Sequence, residues 1–277
     1  SRQGPLKREN ERAKGFNPNN GALIDRFDTG ALCHVEGYPA VFYVNGEFYG
    51  LGTFNLGKKR DNYDIASNNQ NQIQIAADDH SNFNLWQGEP IWEIRRPSSP
   101  DGSFVSKVSA WFSANALTGS AFKDAFPTNH DLINAIDYML LIDFVYAYDC
   151  FSKNLILTSW DGVKFFFTPY DLDSTLGLSW EGREETPWDV SCRSSGGTAA
   201  SQQFYQKIYT QFNSEVRARY NELKEKDVLT VDNVYRHLDH FARTFGMEMY
   251  QMEFEKWPNI PSNNPNATGN PYGNGGF

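Results

Sequence analysis

Asp149 and Asn154 stand five positions apart, and Asp171 and Asp173 follow after two short apolar runs. A carboxylate can accept or orient a proton, and carboxylate and amide oxygens are hard donors that suit Mg²⁺ or Mn²⁺. Separated in sequence, these groups need a scaffold to bring them together. Leu155–Thr158 and Val163–Thr168 are rich in β-branched and aromatic residues and read as strands. Asp161-Gly162 between them is a two-residue hairpin signal. A tight turn there sets Trp160 opposite Val163, Asn154 opposite Pro169 and Asp171 opposite Ser152, so the acids gather at the open end of the ribbon.

An Asp followed five residues later by Asn is also the layout of a protein-kinase catalytic loop, in which the Asp orients the attacking hydroxyl and the Asn holds a metal. A second metal-binding Asp then precedes a Gly. Asp171 or Asp173, ahead of Gly177, fills that place. Neither His-Arg-Asp nor Asp-Phe-Gly occurs, so a kinase of this kind is atypical.

The runs Tyr146-Ala-Tyr-Asp-Cys-Phe-Ser-Lys-Asn154 and Phe165-Phe-Phe-Thr-Pro-Tyr-Asp-Leu-Asp-Ser-Thr-Leu-Gly177 resemble the spore-coat protein H (CotH) family of atypical kinases. Upstream, Val41-Phe-Tyr-Val-Asn-Gly-Glu-Phe-Tyr-Gly-Leu-Gly52 looks like the family's strand-turn-strand segment, and the likeness runs on to the helical end containing Trp257. It implies transfer of the ATP γ-phosphoryl group to a hydroxyl of a protein substrate. Asp149 would orient the nucleophile, and Asn154 and Asp171 would hold Mg²⁺ or Mn²⁺. The family pattern has an acid at both Asp171 and Asp173, with the first nearer the strand, which favours Asp171 as the metal ligand. Asp173 either completes the metal site or caps the Ser174-Thr175 turn. The resemblance also implies an extracytoplasmic, secreted or cell-surface setting. Some members look like surface-binding proteins, which leaves a non-catalytic adhesion module as the rival reading.

A cation should hold the nucleotide phosphates. Lys58 and Lys59 follow the first hairpin and are the candidates, against the plainer reading of Lys58-Lys-Arg60 as a solvated basic loop. The chain departs here from the acidic residue expected in many family members. Glu93 is a candidate partner for that lysine and equally a residue of an exposed strand face. The glycine loop GxGxxG is missing; Gly50-Leu-Gly52 is a fragment, equally readable as a bulge.

The 277 residues suffice for one large domain or two lobes. A net charge of −9 and a pI of about 5.1 argue against a nucleic-acid partner. No apolar run is long enough to span a membrane, and no signal peptide is visible. Cys33, Cys150 and Cys192 cannot all pair, and the five histidines lack zinc spacing. The seven tryptophans read mainly as packing, and Asn266-Ala-Thr268 matches a glycosylation acceptor, a triplet frequent by chance.

The expected fold is α+β and atypical protein-kinase-like, with a β-rich N-terminal lobe and a mainly helical C-terminal lobe. Residues 1–30 read as an irregular extension, 31–125 as β-rich, 126–258 as helical with the catalytic hairpin, and 259–277 as a disordered tail. Strands are expected at Ala40–Val44 and Glu47–Phe54, turned by Asn45-Gly46, and at Gln72–Ile75 and Ile91–Ile94, and helices at Asp131–Tyr148, with Asp131 as its cap, Gln203–Lys226 and Val231–Lys256. Residues 182–201 read as a loop. Asp171-Leu-Asp-Ser-Thr175 also fits the DxDxT pattern of haloacid-dehalogenase-like phosphatases, whose fold needs a following helix and further strands, and Asp171-Leu-Asp173 is a weak nucleotide-sugar match.

Overall fold

A computed structural model describes residues 31, 37–55, 58–177, 191–194 and 198–258. The expected extension at 1–30 and tail at 259–277 lie outside the described residues. Strands occupy the first half and helices dominate the second, an α+β arrangement.

Asn45 and Gly46 both take positive φ, 54° and 83°, and turn β1 (Gly37–Val44) tightly into β2 (Glu47–Asn55). Only residues that tolerate the left-handed region make that two-residue turn cheaply. A bulge sets Phe42 against Gly50 and Tyr43 against Phe48, leaving Tyr49 as the extra residue. The two glycines here make room for neighbours. A Cβ on Gly52 would lie 2.7 Å from the Phe42 ring, and one on Gly50 would lie 3.1 Å from Glu253 Oε2.

The second sheet is antiparallel throughout, in the order β4-β3-β5-β6, from β3 (Ile73–Ala77), β4 (Trp92–Arg96), β5 (Leu155–Ser159) and β6 (Phe166–Pro169). β3 and β5 are buried along their whole length, so both faces are covered. Alternation divides their side chains between two cores. Ile73, Ile75, Leu155 and Leu157 face the main core, while Ala76 and Ile156 join Tyr63, Ile65 and Tyr170 on the other side. β3 and β5 come from either side of the expected lobe boundary near residue 125 and pair directly.

Two helices unforeseen in the sequence follow β4. α1 (Gly102–Ala116) is capped by Asp101, whose carboxylate accepts from the Ser103 and Phe104 amides. It buries Phe104, Val108, Trp111, Phe112 and Asn115 along one stripe. α2 (Gly119–Asn129) adds Phe122 and Phe126. α3 (Leu132–Phe144) starts at the expected cap, Asp131, which accepts from Asn134 N at 2.8 Å. It stops short of the expected Tyr148 because Tyr146 turns left-handed, at φ 52°.

Each of the two long C-terminal helices is broken in two. α4 (Ala199–Gln211) gives way to α5 (Asn213–Glu225) at Phe212, and α6 (Val231–Phe245) to α7 (Met247–Lys256) at Gly246, whose φ of 77° no helix contains. α6 and α7 pack on the β1–β2 hairpin. Among the described residues no helix is long and apolar enough to cross a membrane.

Candidate functional site

The site is built where β3, β5, β6 and α3 converge. Asp149 lies in a 3-10 turn, Tyr148–Phe151, leading into β5. Three elements hold that turn. Tyr138 of α3 donates its hydroxyl to Cys150 O at 2.8 Å. Ser81, beyond β3, donates its amide and its hydroxyl to Ser152 O at 2.9 and 2.6 Å. Asn154 N donates to Ala77 O, the last residue of β3, at 3.0 Å. Asn134 of α3 secures the far edge of the sheet, accepting from Phe167 N at 2.6 Å and donating to Phe167 O at 3.1 Å. A side-chain amide thus covers the open edge of β6.

The hairpin register differs from the expected one by a single position. Leu155 faces Pro169, and Tyr170 N donates to Asn154 O at 3.2 Å. The tight Asp161-Gly162 turn does not form. Asp161 Oδ1 instead accepts from Val163 N at 2.9 Å and Lys164 N at 2.8 Å, and Ser159 Oγ accepts from Gly162 N at 2.9 Å. The loop therefore widens, and β6 begins at Phe166 rather than Val163. A one-residue slip moves side chains to the opposite face, so Asn154 does not lie opposite Pro169.

Asn154 and Asp171 both adopt the left-handed region, with φ of 51° and 56°, and Tyr146 and Leu176 nearby do the same. Such residues cost roughly 1–3 kcal/mol each and persist where surrounding structure enforces them, often at functional sites. Asn154 is buried, whereas Asp171 and Asp173 are exposed. Asp149 is largely covered, and Lys153 Nζ lies 3.9 Å from its carboxylate. Ser174 Oγ donates to Asp173 Oδ1 at 3.4 Å.

One buried thiol reports how these groups cluster. Burial, with the charges of Asp149, Asp171 and Asp173 adding to it, pushes the Cys150 thiol up to about 12. Its Sγ lies 3.6 Å from Asn154 O and 3.6 Å from Tyr170 O. The three carboxylates, spread over residues 149–173, thus all lie within electrostatic reach of this one thiol, which also touches the Asn154 main chain. Among the described residues no three His, Cys, Asp or Glu side chains form a ready metal group. The donor set suits Mg²⁺ nonetheless, because that ion is commonly held by one or two carboxylates, with water and substrate phosphates completing the shell.

The two lysines part company. Lys58 is half-buried, its Nζ 3.6 Å from the centroid of the Tyr170 ring, while Lys59 is exposed. Burial and the neighbouring Arg95 lower the pKa of Lys58, and Asp171, Glu93 and Asp78 oppose that shift. Glu93 takes the second of its two readings, the exposed strand face. Its ion pair goes to Arg95 at 2.7 Å, because alternate positions on β4 share a face. Arg95 also donates to Lys58 O at 2.7 Å. Sequence reasoning missed Arg95, although Arg95-Arg96 so close to Glu93 was a visible charge signal. It missed Asp78 as well, which ends up near Lys58 and Tyr170.

No strand follows β6 among the described residues, so the haloacid-dehalogenase-like alternative lacks its scaffold. Comparison with curated proteins returned no match. The family model described as CotH kinase protein matches residues 25–270, most of the chain and all of the site, and the chain belongs to the CotH kinase protein family.

Proposed function

We propose that this protein is an atypical, divalent-metal-dependent kinase that transfers the γ-phosphoryl group of ATP to a hydroxyl of a protein substrate. The observation that carries the reading is that Asp149, Asp171 and Asp173 all lie within electrostatic reach of Cys150, whose sulfur is 3.6 Å from the main-chain oxygens of Asn154 and Tyr170. In this reading Asp149 orients the acceptor hydroxyl and takes its proton as the oxygen attacks the γ-phosphorus. The bond from that phosphorus to the bridging oxygen breaks, and ADP leaves. Asn154 and Asp171 hold Mg²⁺ or Mn²⁺, with Asp173 as a further carboxylate beside them. The metal, when bound, neutralises charge on the phosphates. Lys58 rather than Lys59 is the cation facing the phosphates, supported by its burial and its nearness to Asp171. Family membership supports ATP use and a kinase-like activity. A setting outside the cytoplasm is what the family resemblance implies.

A thermal-shift titration with ATP and Mg²⁺ or Mn²⁺ tests the reading. Ligand at a hundredfold excess over its Kd stabilises by about 2.7 kcal/mol. The shift should require metal and be lost in Asp171→Ala. A well-folded wild type that ignores every nucleotide-metal pair would sink the proposal.

The rival binding-module reading is favoured by one observation. Val231, Tyr235 and Leu238 of α6 form an exposed apolar row at helical spacing.

A further inference from the structure

β3 and β4 pair with an irregularity between Gln74 and Ile75, which sets Gln74 opposite Arg96. That pairing forms one wall of an open cavity of about 330 Å³. Lys58, Lys59 and Arg60 supply the other wall, and Arg95 and Asp61 complete the lining. Five cations thus face one carboxylate.

Much of this lining is donors. Arg95 is partly engaged, by Glu93 and by Gln74 Oε1 at 3.4 Å. Arg60 lies 3.6 Å from Asp61. Arg96 donates through Nη1 to Arg95 O, but its buried Nε has no partner. Gln74 is only 1% exposed, and its amide NH₂ has no partner either. Burying such a donor unpaired is costly, because it gives up its bond to water and gains none in return. The side-chain acceptors lining the cavity, Gln74 Oε1 and Asp61, already face arginines. A ligand that supplies several acceptor oxygens and negative charge is what this lining lacks.

We propose that this cavity is a binding site for phosphate-class oligoanions, with Gln74 and Arg96 among its ligands. Resting on the kinase reading, its occupant is the phosphate chain of the nucleotide. Lys58 is the shared wall, since it lines the cavity and also lies within the field of Asp171. Arginine suits the role because its planar fork donates two hydrogen bonds to one phosphate.

Calorimetric titration of the full chain tests this, with metal-free tripolyphosphate and separately with ATP and Mg²⁺. The variants are Gln74→Leu, Arg96→Gln and Asp171→Asn. Wild type should bind tripolyphosphate without metal. Gln74→Leu and Arg96→Gln should each weaken it about tenfold, the loss of one charge-assisted hydrogen bond, and should weaken ATP by the same factor. Asp171→Asn should weaken ATP with Mg²⁺ and should not weaken tripolyphosphate, since it removes a negative charge from beside Lys58. If ATP binding survives both cavity variants while tripolyphosphate binding falls, the anion site stands and its occupant is free phosphate. If Asp171→Asn has no effect while the cavity variants act, the anion site stands and the kinase reading fails. If wild type does not bind tripolyphosphate, or if both folded cavity variants bind it unchanged, the proposal is overturned.

Discussion

Lys58 Nζ stands 3.6 Å from the centre of the Tyr170 ring, immediately before Asp171 in the chain. The ring's negative face holds the ammonium while leaving it open to a ligand, and such contacts are worth about 0.5–2 kcal/mol. Tyr170 is fixed in turn by its hydroxyl, which donates to Ala77 O at 3.2 Å. Lys58→Ala should therefore weaken ATP binding about tenfold, roughly 1.4 kcal/mol. Lys59→Ala should weaken it less than Lys58→Ala does, because its exposed charge is screened by solvent. Calorimetric ATP titration separates the two. Because burial and Arg95 lower the pKa of Lys58, its charge is lost earlier than an ordinary lysine's as pH rises, so ATP affinity should begin to fall at a lower pH than an ordinary lysine would set.

The β1–β2 hairpin is latched by the end of α7. Leu51 N donates to Glu253 Oε2 at 2.8 Å, Trp257 Nε1 donates to Tyr49 O at 2.7 Å, and the Trp257 and Tyr49 rings meet edge to face. Glu253→Ala should raise hydrogen exchange at the Leu51 amide by about tenfold, since a hydrogen bond to a charged group is worth roughly 1.5 kcal/mol. Exchange in β3 and β5 should not change.

His130 sits wholly buried against Trp111, Phe126, Phe167 and Phe204. Burial lowers its pKa from 6.5 to about 3. The unfolded chain therefore takes up a proton near pH 6.5 that the fold refuses. This contribution to stability is complete above pH 6.5 and is lost progressively as pH falls toward 3. His130→Phe should shrink the drop in unfolding free energy between pH 7 and pH 5, as measured by denaturant titration. An unchanged drop would show that other groups carry the acid sensitivity.

Asp161 accepts from the Val163 and Lys164 amides in the loop that joins β5 to β6, whose pairing has Asn154 just before β5 and Asp171 just beyond β6. Asp161→Ala should cost about 1–2 kcal/mol in stability and weaken metal-dependent ATP binding, although Asp161 is distant in the hairpin from the acids. Loss of stability with full ATP binding would mean that the register is set elsewhere.

How legible each part was depended on how local its cause is. Asn45-Gly46 predicted its hairpin because two adjacent residues carry the whole signal. Asp161-Gly162 misled because the Asp161 side chain captures two backbone amides, a competition the dipeptide does not reveal. The stripe Phe104, Val108, Trp111, Phe112 was present as a helical period and went unread amid the β-rich surroundings. Residue types and short spacings pointed to Asp149, Asn154 and Asp171. Arg95 and Gln74 become neighbours of Lys58 only through the pairing of β3 with β4, which no local pattern encodes.

The most direct test of the account is phosphoryl transfer from γ-labelled ATP to one protein acceptor, with Mn²⁺ or Mg²⁺, by wild type, Asp149→Ala and Asp171→Ala. The account predicts metal-dependent incorporation by wild type and at least about a hundredfold loss in each variant, the usual scale for removing a general base or a metal ligand. Incorporation that persists undiminished in both folded variants would contradict it.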